Sequence, residues 1–209
     1  MIVIAACFPI ETRWVRRTDG LRVVRVPMGN RAPEALPRTV GGDEPRVLIS
    51  AGFSGGLDAA MRTGDLVLAD SIVHNGERLA IDAGLLERAR ASLRTDPRRI
   101  AIGPTLCAAR VVQGREEKRE LGASGEIAVD MESGPIARWA TGNGVPFLSV
   151  RAILDPLAFS VPFSSGVPFW RSAIAHPAAA FRVARMASCA GRALGSALDD
   201  VVDALEEAQ

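Results

Sequence analysis

The sequence predicts an α/β layered domain, and three observations carry that prediction. Apolar runs of strand length recur along the chain, amphipathic helical patterns fall between and after them, and 48% of the 209 residues are hydrophobic. That is enough to bury a core within one domain. Residues 1–209 therefore form a single domain in this reading, ending in a helical tail from about residue 170.

Strand-like runs fall at 2–6, 21–27, 46–51, 65–73, 98–102, 106–113 and 146–153, and helical patterns at 31–40, 84–94, 115–121, 133–142 and 170–207. The first run, Met-Ile-Val-Ile-Ala-Ala-Cys7, has no basic leader and meets Glu11 and Arg13 at once. It suits a buried first strand, not a signal peptide. Gly41-Gly-Asp-Glu-Pro45 and Thr95-Asp-Pro97 read as connecting turns. Further on, Pro135 opens a helix whose residues Ile136, Trp139 and Ala140 keep helical spacing, and Gly142 and Gly144 end it. Phe147, Leu148 and Val150 then suit a buried strand. Pro156 to Pro168, rich in proline and serine, reads as a loop or lid.

Composition removes several function classes. A formal charge of +1 supplies no phosphate-tracking excess, so a nucleic-acid partner is not expected. Cys7, Cys107 and Cys189 have neither metal nor disulfide spacing, which suits a reducing cytoplasm and predicts neither metal nor other cofactor. No run reaches the ~18 apolar residues that a bilayer span needs.

Four constellations carry candidate chemistry. Glu11 follows the first strand in Cys7-Phe-Pro-Ile-Glu11; it is either a general base toward water or a helix N-terminal acid facing the dipole. Ser50-Ala-Gly-Phe-Ser-Gly-Gly-Leu57 continues an apolar strand. Its glycines allow close backbone approach to a ligand, or serve a tight turn needing positive φ. In Asp130-Met-Glu132, the glutamate sits at a helix start, where capping alone would explain it. Arg151 and Asp155, four residues apart, form either a plain ion pair or a functional one with a protonated aspartate. The helix–strand unit carries Glu132 and Asp155 to one edge of an open sheet, where ligands bind.

Together and in order, these segments, with Thr63-Gly-Asp-Leu-Val-Leu-Ala-Asp70, Ala128-Val-Asp-Met-Glu-Ser133 and Val150-Arg-Ala-Ile-Leu-Asp155, resemble the nucleoside phosphorylase/nucleosidase superfamily. The resemblance is greatest to its methylthioadenosine/adenosylhomocysteine nucleosidase branch. It implies a three-layer α/β/α sandwich with a mixed, partly closed sheet, a small nucleoside substrate, and a homodimer. Ile153-Leu-Asp-Pro156 and Ala175-His-Pro177, ahead of an Ala/Arg-rich helix, further resemble the hopanoid-associated phosphorylases, which are thought to release adenine from adenosylhopane.

The roles that follow from the resemblance are specific. Glu11, assisted by Arg151, would position the attacking water. Met131 would pack on the ribose and Glu132 would accept hydrogen bonds from its hydroxyls. Asp155 would protonate N7 of the departing adenine, and Gly52, Phe53, Ser54 and Gly55 would floor the pocket. Two departures matter. Phosphorolysing relatives carry an arginine just ahead of the Gly-rich segment, whereas Leu48-Ile-Ser-Ala-Gly52 has no cation, which favours water over phosphate. Arg31 keeps phosphate in play. Phe53 stands where such nucleosidases commonly have serine, and Ser54 is the candidate substitute.

The tail mixes Trp170, Ile174, Phe181, Val183 and Met186 with Arg171, Arg182, Arg185 and Arg192. It is either an amphipathic helix packed on the sheet or a surface for transient membrane contact. His74 and His176 read as structural.

Overall fold

The computed structural model describes residues 1–36, 44–159 and 177–207. These residues build one mixed eight-stranded sheet, in keeping with the α/β prediction. Its strands are β1 (Ile2–Ala6), β2 (Leu21–Arg25), β3 (Val47–Gly56), β4 (Leu66–His74), β5 (Glu77–Ala80), β6 (Ile100–Cys107), β7 (Ala128–Asp130) and β8 (Phe147–Asp155). The helices are α1 (Ala83–Ser92), α2 (Arg115–Gly122), α3 (Ser133–Gly142) and α4 (Pro177–Glu206), with short 3-10 helices at Pro9–Glu11 and Gly29–Ala35.

β3 organises the sheet. It pairs in parallel with β1 and with β8, and its last residues, Gly55 and Gly56, pair antiparallel with β7. β7 pairs with β6, β6 with β4, and β4 antiparallel with β8, so these five strands close on themselves. β2 continues the sheet beyond β1, and β5 beyond β4. This is the partly closed mixed sheet that the resemblance implied. β1 is apolar throughout, as burial on both faces demands, and β8 is buried almost throughout although it carries Ser149, Arg151 and Asp155.

Helices cover the sheet in two groups: α1 and α4 pack on each other and on β8, while α3 packs on β3, β4 and β8 and against the second 3-10 helix. The C-terminal half of α4 is core, with Ala190, Leu194, Leu198, Val201 and Leu205 buried. Packing on the sheet thus explains that half of the tail. Phe181, in its first turns, is 67% exposed. Among the described residues, no helix is long and apolar enough to cross a membrane. Trp170, Ile174, His176 and most of the Pro156–Pro168 segment lie outside the described residues, as do residues 37–43.

Several boundaries differ from expectation. The runs 98–102 and 106–113 are one strand, β6, which passes through Gly103 and Pro104 and ends at Cys107. Pro104 costs nothing there in acceptors, because its carbonyl receives the Ile127 amide at 2.9 Å. The expected helix over 31–40 is the 3-10 helix Gly29–Ala35, interrupted by Pro33. Residues 50–56 form neither a tight turn nor an anion nest: they continue β3 in extended conformation, and positive φ among glycines occurs elsewhere. The glycines of this stretch serve space instead of φ.

Candidate active site

A cavity of about 250 Å³ opens at the C-terminal ends of β1, β3, β7 and β8. Glu11, Phe53, Ser54, Gly55, Asp130, Met131, Glu132 and Asp155 all line it. Four segments distant in sequence meet there because β1, β3 and β8 run parallel and bring their carboxyl ends to one edge, where the antiparallel β7 also ends. Its rim is mostly apolar: Phe8, Met28, Val111 and Val112 line it beside Arg110, and Phe8 and Met28 are exposed although large and hydrophobic.

Glu11 ends the 3-10 helix that follows β1 and is only 4% exposed. Its Oε2 accepts the Phe8 amide at 2.7 Å and its Oε1 accepts the Phe53 amide at 2.9 Å. Burial raises its pKa above the ordinary glutamate range, while these amides and Arg151 oppose the rise. The side chain is held between the backbone of the connection after β1 and that of β3, so its direction is set before any ligand arrives.

Gly52 does not line the cavity. It lies behind Glu11, where a Cβ would stand 2.5 Å from an Arg151 guanidinium nitrogen and 2.8 Å from Glu11 Oε1. Glycine is required at this position because two charged side chains already occupy the space. Gly55 has a similar duty, since a Cβ there would meet Val129, Asp155 Oδ2 and Lys118 Cε at 3.1–3.5 Å. Ser54 is buried, lines the cavity, and its hydroxyl has no partner among the described residues. That leaves one hydrogen-bonding group free for a ligand.

Arg151 is 2% exposed and sits behind the cavity instead of lining it. It does not pair with Asp155, which removes the plain ion pair considered from their spacing. Arg151 instead pairs with Asp130 at 2.6 Å and donates to Ser50 Oγ at 2.6 Å. Asp130, passed over as a site residue in the sequence reading, both neutralises Arg151 and accepts from Ser133 Oγ at 2.7 Å at the start of α3. Capping of that helix therefore belongs to Asp130, and Glu132 makes no side-chain cap.

Glu132 faces the cavity, and its Oε1 accepts the Gly29 amide at 3.0 Å. Gly29 presents that amide from a left-handed backbone, φ 72°, which favours glycine. The Glu132 carboxyl is pushed up to about 7, chiefly by burial and then by the charge of Asp130, with Arg151 opposing. Asp155 is pushed up to about 6 by burial, opposed by Lys118. Lys118, from α2, is fully buried and its Nζ lies 2.5 Å from Asp155 Oδ2. Sequence reading missed it, because it stands in Arg-Glu-Glu-Lys-Arg-Glu, which looks like a solvated helix.

The remaining candidates lie elsewhere. Arg31 is at the surface, forked onto Glu34 at 2.9 Å, and does not line the cavity. Arg110 lines the rim but pairs with Glu117 at 2.5 Å. His74 is buried against Gly134 with Nδ1 3.4 Å from the Cys107 carbonyl, a packing role. Cys7, whose thiol is pushed up to about 12 chiefly by burial and then by Glu132 and Glu11, is a poor nucleophile.

Chemically, the cleft presents four carboxyl groups of different character. Glu132 and Glu11, with Asp130, form an anionic end that would stabilise positive charge developing on a ligand. Asp155, poised near neutral pH, is able to give or take a proton.

Known proteins resemble this chain in sequence and fold. Residues 23–165 match the sequence profile of the Phosphorylase superfamily. The chain is 29% identical over 136 residues to the 5′-methylthioadenosine/S-adenosylhomocysteine nucleosidase of Actinobacillus succinogenes, covering 54% of this chain and 58% of that protein. It is 29% identical over 164 residues to the nucleosidase of the same name from Geobacillus thermodenitrificans, covering 66% of this chain and 69% of that protein. The crystal structure of the Neisseria meningitidis nucleosidase of that name, in complex with methylthio-immucillin-A, superposes with a TM-score of 0.75. That match covers 96% of this chain and 97% of the other at 17% identity, and so shows a shared fold.

Proposed function

We propose, from the premise that the chain belongs to the Phosphorylase superfamily, that it is a nucleosidase cleaving the N-glycosidic bond of a 5′-substituted adenosine by water attack. The observation that carries this reading is the convergence of Glu11, Glu132 and Asp155 in one cavity, with Met131 beside them. In the proposed reaction Glu132 holds the ribose hydroxyls and Met131 packs on the sugar. Glu11 takes a proton from water as it attacks C1′, and Asp155 gives a proton to N7 as the C1′–N9 pair leaves with the base. Positive charge on the ribose ring meets the carboxylates of Glu11, Asp130 and Glu132. Arg151 acts from behind Gly52, holding Glu11 and Asp130 in place.

Water is favoured over phosphate because the arginines at and behind the cavity are already engaged: Arg110 by Glu117, Arg151 by Asp130. The apolar rim of Phe8, Met28, Val111 and Val112 supports an apolar 5′ substituent. Among such substituents the resemblance of the tail favours adenosylhopane, giving ribosylhopane. Adenine release from adenosylhopane should then exceed that from methylthioadenosine in kcat/KM; turnover of the small thionucleoside alone would overturn the choice of substituent.

The two perturbed carboxyls also predict a pH profile. Glu132 must be ionised to accept from both hydroxyls, so activity rises with pH through about 7. Asp155 must be protonated to serve the base, so activity falls as pH rises through about 6. The limbs overlap, and kcat/KM should trace a narrow bell with its maximum between these values. A flat profile from pH 5 to 9 would contradict the assignment.

A further inference from the structure

Of the 25 lysine and arginine residues in this chain, 118 alone is lysine, and it is completely buried. Its ammonium is enclosed by oxygens. Besides Asp155 Oδ2 at 2.5 Å, Nζ donates to the carbonyls of Asp155 at 3.0 Å, Pro156 at 3.2 Å and Phe159 at 3.2 Å. The turn closing over it is tied by the Phe159 amide to the Pro156 carbonyl at 2.8 Å. A compact ammonium with rotatable donors fits four oxygens gathered around one point; a planar guanidinium does not. Gly55 leaves room for the stem of the lysine. A buried charge of this kind is costly unless paired, and here its ionic partner among the described residues is the acid of the cavity.

Resting on the nucleosidase reading above, we infer that Lys118 is the positioning residue of the base end of the site: it orients the Asp155 carboxyl, pins the 155–159 turn beneath the base, and neutralises the carboxylate that proton donation creates. In that step the Asp155 O–H bond breaks and an N–H bond forms on the base. The electron pair stays on Oδ1 and is shared by resonance with Oδ2, which faces the Lys118 ammonium. Because Oδ2 is taken by the lysine, Oδ1 is the oxygen left for the base. Among the described residues, Lys118 is the charged side chain that acts on Asp155, whereas Glu11, Asp130, Glu132 and Arg151 act on one another at the ribose end.

The test separates charge from shape. Removing the cation in Lys118→Met raises the pH at which Asp155 ionises. The alkaline limb of kcat should therefore move up by about one pH unit or more, with kcat down at least about tenfold and KM little changed. Lys118→Arg keeps the charge but not the point geometry, so its kcat should fall while the limb stays near that of the wild type. An unmoved limb in Lys118→Met, with normal kcat, overturns the inference. Should that variant not fold, the wild type itself serves, because lysine labelled with 15N at Nζ gives a single signal. That signal should be protected from solvent exchange, change position as Asp155 ionises, and shift on addition of adenine. A freely exchanging signal, indifferent to adenine in a protein that turns over, would overturn it as well. If the wild type releases adenine from no nucleoside, the nucleosidase reading fails, while the pH titration of the lysine signal still reports on the pair.

Discussion

Asp155→Asn is expected to lower adenine release by about 10²- to 10⁴-fold, the range attributable to one positioned general acid. The amide keeps the shape of the carboxyl and an acceptor for the exocyclic amine of the base, so ligand affinity should stay within about tenfold of the wild type. What disappears is the dissociable proton. The substitution also removes the counter-charge of the buried Lys118 ammonium, which in comparable buried pairs costs about 3–5 kcal/mol. The three carbonyls around Nζ and the amide oxygen offset part of that cost. A lower Tm should therefore accompany the lost turnover, and inhibitor binding measured below the melting range separates the two effects. Unchanged turnover would remove Asp155 from the chemistry.

Glu11→Gln should be as severe in turnover, for a different reason. Both carboxylate oxygens of Glu11 accept backbone amides, from Phe8 and Phe53. A glutamine offers one oxygen and one NH2, so one amide faces a donor whichever way the side chain lies. An unsatisfied buried donor costs about 1–3 kcal/mol. The variant also cannot accept the proton of water, so kcat should fall about 10²- to 10⁴-fold. Nucleoside binding through Glu132 should persist, making this variant a route to trapping unreacted substrate. An active Glu11→Gln protein would show that the base lies elsewhere.

Much of this site was legible in the chain because its parts are local. Glu11 after a strand, Met131 and Glu132 at a helix start, and Asp155 at a strand end each carry their position in the neighbouring pattern. Helix α3 matches the spacing of Ile136, Trp139 and Ala140 down to its residue range. The missed elements are of two kinds. Some were written plainly and overlooked: Asn75-Gly76, with φ 51° and 78°, is the two-residue turn that joins β4 to β5. Others depend on packing alone. β7 is three residues long and exists because β3 and β6 flank it. The partners of Arg151 and Asp155 come from β7 and α2, at separations no spacing rule reaches. The i, i+4 relation on β8 suggested that they pair with each other; tertiary structure gave each a different counter-charge. Glycines at 52, 55 and 56 suggest backbone freedom in the sequence, whereas the side chains standing over Gly52 and Gly55 are what require them.

The most direct test of water-driven adenine release is to incubate the wild-type protein with adenosylhopane or methylthioadenosine in phosphate-free buffer and analyse both products. Free adenine together with the unphosphorylated sugar, at a rate unaffected by added phosphate, is the predicted result. Adenine that appears only when phosphate is supplied, with a sugar 1-phosphate as co-product, would contradict it.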